Sequence, residues 1–212
     1  MYVGVTDYDW FTLLREQKCD EVNFWTPGGN KNFRALAENE LFLFKLHSPR
    51  NYIVGGGFFV RFSILPGYLA WEAFGIKNGV TSRDELESRI RKYKLRNKMD
   101  LSNPKIGCII LTEPFFFDEN DWIPVPEDWS NSIVQGKTYD TDTLTGSALY
   151  QDVIDRIHYA DIDKKTIQFP TGVSDRYSIG TTKHRLGQGA FRVAVTDAYQ
   201  RRCAITGEKT LP

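Results

Sequence analysis

Cysteine, histidine and net charge are all scarce in this chain. Its three cysteines (Cys19, Cys108, Cys203) stand far apart and never in CxxC spacing. That excludes a disulfide framework and points to reduced thiols. The three histidines (His47, His158, His184) show no ligand spacing to one another or to a cysteine, so no zinc site can be argued. Twenty-seven basic side chains are balanced by 27 acidic ones. A polyanion would therefore meet no whole-chain positive field, and a nucleic-acid ligand requires the cations to be segregated onto one face. No apolar run approaches roughly 18 residues. The start, Met1-Tyr2-Val3-Gly4-Val5, lacks a basic region followed by an apolar core. A soluble, cytoplasmic protein with no membrane partner is the expectation.

Catalytic patterns are missing too. There is no Gly-x-Ser-x-Gly elbow, and Pro27-Gly28-Gly29-Asn30-Lys31 lacks both the spacing and the Lys-Ser/Thr of a P-loop. Asp118-Glu119-Asn120-Asp121 reads as a solvated turn. No complete catalytic constellation is present, so no catalytic residue, resident metal or cofactor is assigned to this chain.

What the chain does have is aromatic side chains, 14% of all residues. They crowd a stretch that runs strand, glycine loop, helix, strand, turn, strand. The pieces are Val22–Trp25, a loop at 27–30, a helix at Phe33–Asn39, Leu41–Leu46 buried on both faces, a turn at 48–51, and Tyr52–Ile64. Gly55-Gly56-Gly57 implies a bulge, or a place where something packs on bare backbone. Around this lie a strand at Tyr2–Val5 and a helix from Asp9 to about Gln17 with Trp10, Leu13 and Leu14 on one face. Leu69–Phe74 forms a helical turn. Ser82-Arg83-Asp84-Glu85 is a capping box. It opens a helix with Leu86, Ile90 and Tyr93 on one stripe and Arg89, Arg91, Lys92, Lys94, Arg96 and Lys98 opposite. Ile106–Leu111 is a buried strand, followed by the extended, proline-pinned segments 114–117 and 122–126. Ala148–His158 is a helix with Leu149, Val153 and Ile157 on one stripe. Polar residues dominate from 161 to about 185, with a short strand at Thr166–Phe169, and a helix comes next over Gly187–Arg202. The class is α+β: a strongly bent sheet or barrel with flanking helices.

Rings beside a few polar groups suit a flat, flipped-out base, with each stack contributing about 1–3 kcal/mol. The pocket candidates are Asn23, Phe24, Trp25, Thr26, Phe44, His47, Ser48, Phe58, Phe59 and Trp71. Lys31, Arg34, Arg50, Arg61, Lys92, Lys94 and Arg96 are candidates for the nucleic-acid backbone. The plainer account is that the rings are core and the basic helix a solvated face.

Two segments resemble known families. Val22 to about Phe74 resembles the EVE members of the PUA-like superfamily, relatives of YTH and ASCH domains. The likeness lies in a Trp after an Asn-rich strand, an Arg-Ala-Leu helix, a strand ending in His47-Ser48 and a returning Ile-Val-Gly strand. It implies an aromatic-walled pocket for a modified base, with Asn23, Trp25 and His47-Ser48 near the ligand. Arg185-Leu186-Gly187-Gln188-Gly189-Ala190-Phe191-Arg192, then Ala198 to Gly207, resembles the start of a bacterial HNH endonuclease domain. Its catalytic histidine would lie just beyond Pro212. Together these imply a recognition domain (1–160), a linker (161–184) and the beginning of a ββα-metal nuclease (185–212). The expected partner is double-stranded DNA carrying a modified base, recognised by base flipping in modification-dependent, type IV-like restriction against phage. The intact nuclease is expected to need a divalent metal, magnesium, and a homodimer through the parent protein is allowed. This chain alone is expected to be inactive as a nuclease. A non-enzymatic RNA or small-ligand binding module, or a protein-interaction domain, stays open beside this reading.

Overall fold

A strand that is apolar on both sides needs cover on both faces, and Leu41–Leu46 finds it in the middle of a sheet. The computed structural model describes residues 1–28, 32–102, 105–163 (side chains to 158), 187–199, 202 and 206–208. All six residues of Leu41–Leu46 are buried. This is β3 of a seven-stranded sheet with β1 (Tyr2–Thr6), β2 (Glu21–Thr26), β4 (Tyr52–Pro66), β5 (Lys105–Phe116), β6 (Ile123–Pro124) and β7 (Gly136–Thr138). The order is β2-β5-β4-β3-β1-β7, with β6 alongside β4. Strands β1 and β3 run parallel, and the other pairings are antiparallel. Among the described residues, five α-helices flank it: α1 (Tyr8–Gln17), α2 (Gly67–Phe74), α3 (Arg83–Arg96), α4 (Leu144–Asp163) and α5 (Gln188–Ala198). The class is therefore α+β, as the sequence implies. No helix among the described residues is long and apolar enough to cross a membrane.

The sheet curls, and the glycines of β4 show why. A Cβ on Gly55 would lie 2.2 Å from the Phe115 carbonyl oxygen, and one on Gly56 would lie 2.6 Å from that of Phe42. What packs against the bare backbone is the backbone of the neighbouring strands, β5 and β3. Register shifts between Gly56 and Phe58 and between Phe59 and Arg61 bend β4 further. The curl carries Phe24 of β2 to within 4.7 Å of Phe42 of β3, centroid to centroid, although two strands separate them in the sheet. Helix α1 caps this inner face with Trp10, Phe11 and Leu14. Outside, α4 lays Leu149, Val153 and Ile157 over Val3, Leu43 and Phe58. Helices α2, α3 and α5 cover Ile106, Cys108 and Ile110 of β5.

Several expectations are corrected. Residues 33–39 form no helix. Instead Asn39 donates to the Phe59 carbonyl (2.7 Å) and Phe59 to that of Glu40 (2.8 Å), tying the end of the segment to β4 after a turn at 38–39. The buried face of α1 is Trp10, Phe11 and Leu14, with Leu13 only half-buried. Pro114-Phe115-Phe116 is no separate segment but continues β5 past a kink at Glu113 (φ 47°). The capping box forms with a shifted partner. Ser82 accepts from the Glu85 amide (3.2 Å), while the Glu85 carboxylate reaches the amide and hydroxyl of Thr81 (2.8 Å each). The third place on the α3 stripe belongs to Lys94, Tyr93 being exposed. The short strand expected at Thr166–Phe169 and most of the 161–184 linker lie outside the described residues.

Candidate nucleic-acid interface

Neighbouring residues of a strand face opposite ways, and this decides where the pocket candidates go. On β2, Phe24 points inward with Val22, whereas Asn23 and Trp25 face out beneath α2 and the 3₁₀ turn Gly75–Asn78. Phe44 and Phe59 join Phe24 inside, Phe58 faces α4, and Trp71 packs with Trp25 on the α2 side. The sheet itself thus separates the rings into three clusters. Phe44 is 0% exposed, against Trp10 (5.0 Å), Phe116 (5.7 Å) and Phe42 (6.1 Å). These rings fill the interior and do not assemble one cage.

The two ends of the supposed pocket are also far apart. Trp25 pairs with Cys108 and Cys108 with Ser63, while Lys45, two residues before His47, pairs with Ile53. The stretch of β4 from Ile53 to Ser63 separates the two levels. His47 and Ser48 sit exposed in the far turn, with His47 Nε2 3.6 Å from Asp7 Oδ1. Thr26 ends β2 beside Gly107, whose absent Cβ leaves room for its hydroxyl.

Asn23 and Trp25 have a different task. Asn23 Nδ2 donates to Asn78 Oδ1 (2.8 Å), and Trp25 Nε1 donates to the Asn78 carbonyl (3.0 Å). Asn78 Nδ2 in turn donates to the carbonyls of Ala70 (3.1 Å) and Gly75 (2.8 Å). The set pins the 3₁₀ turn onto β2, with Asn23 Oδ1 left buried and unpartnered. Asn78→Ala would strand the buried Asn23 amide and release the side-chain tie between the 3₁₀ turn and α2. It is expected to cost about 1–3 kcal/mol in urea unfolding.

The basic candidates divide as sharply. Lys94 is 3% exposed and donates to the Lys105 carbonyl (3.0 Å). Burial pushes its amine below the usual lysine range, against the pull of Asp100. Arg61 Nη2 is tied to Asp197 (3.1 Å). Both belong to the frame and not to a phosphate track. Arg50 lies 3.9 Å over the Tyr8 ring at the far end, Arg34 is exposed in the 32–40 segment, and Lys31 lies outside the described residues. On α3, Arg83 and Arg89 are occupied by Glu87 (2.7 Å) and Glu85 (2.8 Å). Arg91, Lys92 and Arg96, with Lys98 just beyond, are exposed and make no ion pair among the described residues. The cationic surface is therefore the C-terminal half of α3.

Beside it opens a cleft of about 640 Å³ between α2 and α3, walled by Tyr68, Glu87, Ser88, Ile90, Arg91 and Leu101. The Tyr68 hydroxyl is buried without a hydrogen-bond partner. Sequence reading misses Tyr68, Ser88 and Leu101. Their segments meet only in three dimensions, and nothing local marks them.

Helix α5, from the segment resembling the nuclease start, is seated on this body. The Glu21 carboxylate, fully buried, accepts from the amides of Gly189 (2.8 Å) and Ala190 (2.9 Å) and from Lys77 Nζ (3.0 Å). A carboxylate at the first turn also meets the positive end of the helix dipole. Burial opposes the charge on Lys77, but hydrogen bonds and charge from Asp20 and Glu21 outweigh it and raise its pKa. At the other end, Asp197 accepts from Ser63 Oγ (2.8 Å) and Arg61. Among the described residues, no three of His, Cys, Asp and Glu are grouped to hold a metal ion.

No family model and no curated protein matches the chain. Among solved structures, a single-substitution mutant of ZmASCH from Zymomonas mobilis is similar at 10% identity. The likeness covers 72% of this chain and 96% of that one, with a TM-score of 0.46. A likeness of that degree decides nothing about activity, and the α+β class rests on the elements above.

Proposed function

We propose that the chain is a nucleic-acid-binding module whose contact surface is the C-terminal half of α3, and that its ligand is double-stranded DNA carrying a modified base. The observation that carries the reading is the segregation of charge. In a chain with equal numbers of acids and bases, Arg91, Lys92, Arg96 and Lys98 gather at one end of one helix with no ion pair among the described residues. Cations held out in this way release counterions from phosphates, each neutralised phosphate adding about 0.9 to the log–log salt slope on B-form DNA. The modified base, and the joining of this module to an HNH nuclease in phage defence, are supported by the sequence resemblances over Val22–Phe74 and 185–207. The seating of α5 on the module fits a reader that positions an adjoining nuclease.

The test is a binding panel of unmodified, methylated, hydroxymethylated and glucosylated duplexes at two salt concentrations. Replacing Arg91, Lys92 and Arg96 with serine is expected to flatten the salt slope by about 1 for each phosphate no longer neutralised. Unmodified and modified duplexes should be weakened alike. An unchanged slope would remove α3 as the interface, and equal affinity across the panel would remove the modified base.

A further inference from the structure

Resting on that nucleic-acid reading, we infer that the cleft between α2 and α3 seats a single unstacked base bearing an exocyclic amino group of the cytosine N4 kind. A volume of about 640 Å³ lies in the range of small-ligand sites. Its walls combine apolar side chains, Ile90 and Leu101, with the polar side chains of Tyr68, Glu87 and Ser88, and with Lys94, whose amine is tied to the Lys105 carbonyl. The Tyr68 side chain forms part of the wall, with its hydroxyl buried away from solvent. Glu87 holds Arg83 through Oε1 (2.7 Å), while its Oε2 has no partner among the described residues. Glu87 and the Ser88 hydroxyl give the cleft acceptors on one side, and a carboxylate accepts from a cytosine N4 amine. A carbonyl in the same place, as in uracil or thymine, would face that carboxylate oxygen lone pair to lone pair.

Arg91 completes the arrangement. It stands one helical turn from Glu87 and belongs both to the cleft wall and to the exposed cationic surface. A nucleotide whose base enters the cleft therefore leaves its phosphate beside the cations that track the strand. The guanidinium plane is also suited to stack on the base. The inner rings of the curled sheet are closed off by one another, so the base is read on its outer side.

The experiment uses the full 212-residue chain and short single-stranded DNA oligonucleotides, which bear no cost of base extrusion. The oligonucleotides are identical except for one central cytosine or uracil, and binding is monitored by fluorescence anisotropy at two salt concentrations. Cytosine should be preferred by about tenfold or more. Ser88→Trp, which places an indole in the cleft from an exposed helix position, should abolish the preference and leave the salt slope intact. Glu87→Gln, which can donate to a carbonyl, should shrink or invert it. Equal affinity of the wild type for both strands, or an undiminished preference in Ser88→Trp, would overturn the cleft assignment while α3 binding stands. Absence of any binding to either strand would overturn the cleft assignment, while the parent reading is decided separately by the duplex panel.

Discussion

Phe44→Ala is expected to destabilise the protein by about 3–5 kcal/mol, the range for truncating a buried phenylalanine. The side chain is fully enclosed, with Trp10, Phe42 and Phe116 around it and Phe24 lying parallel at 6.2 Å. Collapse around the vacancy is limited, because these rings come from α1, β2, β3 and β5, whose backbones are fixed by the ladder and by close approaches. Gly4 on β1 already meets the Phe42 ring at 2.4 Å from where a Cβ would stand. The cavity term therefore adds to the lost transfer energy. Urea unfolding should show a lower midpoint at unchanged slope. The folded mutant should bind nucleic acid as the wild type does. If the inner rings instead surrounded a ligand, the result would reverse: a destabilisation below about 1 kcal/mol, with affinity sharply reduced. That outcome would restore the internal pocket and remove the external one.

The features legible from sequence are the local ones. Leu41–Leu46 is apolar enough to announce a doubly covered strand, and it is one. Leu149, Val153 and Ile157 recur at helical spacing and do face the sheet. Ser82 caps α3 because its hydroxyl needs only the amide three residues on. Sequence misleads where tertiary pairing overrides local preference, or where neighbours along the chain are not neighbours in space. Phe33-Arg34-Ala35-Leu36 has the spacing of a helical turn, yet no helix forms there, and Asn39 and Glu40 exchange hydrogen bonds with Phe59 that tie the end of the segment to β4. Asn23, Phe24 and Trp25 look like one site in a string and lie on two faces of a strand. The burial of Lys94 is readable in principle. It stands four residues beyond Ile90 and eight beyond Leu86, so its stem continues the apolar stripe and only the amine needs a polar partner. Strand β7, three residues long and paired only with β1, carries no periodicity that a sequence could show.

Removing the Glu21 carboxylate should have a comparable effect, through electrostatics in place of packing. Glu21→Ala leaves Lys77, one-quarter exposed, with Asp20 as its remaining acid and leaves two first-turn amides of α5 without an acceptor. Lys77 keeps Asp20 and some contact with water, so the loss falls short of the roughly 3–5 kcal/mol typical of breaking a fully buried ion pair from one side, and the two stranded amides add about 1–3 kcal/mol. Glu21→Gln keeps an acceptor for the amides but loses the charge, and should fall between the wild type and Glu21→Ala. The space around the carboxylate allows no substitute from α5 itself, because a Cβ on Gly187 would come within 2.3 Å of Glu21 Cδ. Release of α5 should therefore precede global unfolding in Glu21→Ala. Hydrogen exchange would show it as lost protection at Gly189 and Ala190, with the amides of β3 and β5 still slow. The same substitution should leave the salt slope on α3 unchanged. Unaltered exchange at Gly189 and Ala190 would mean that apolar packing of Ala190 and Val193 alone holds the helix, and that the buried carboxylate is not its latch.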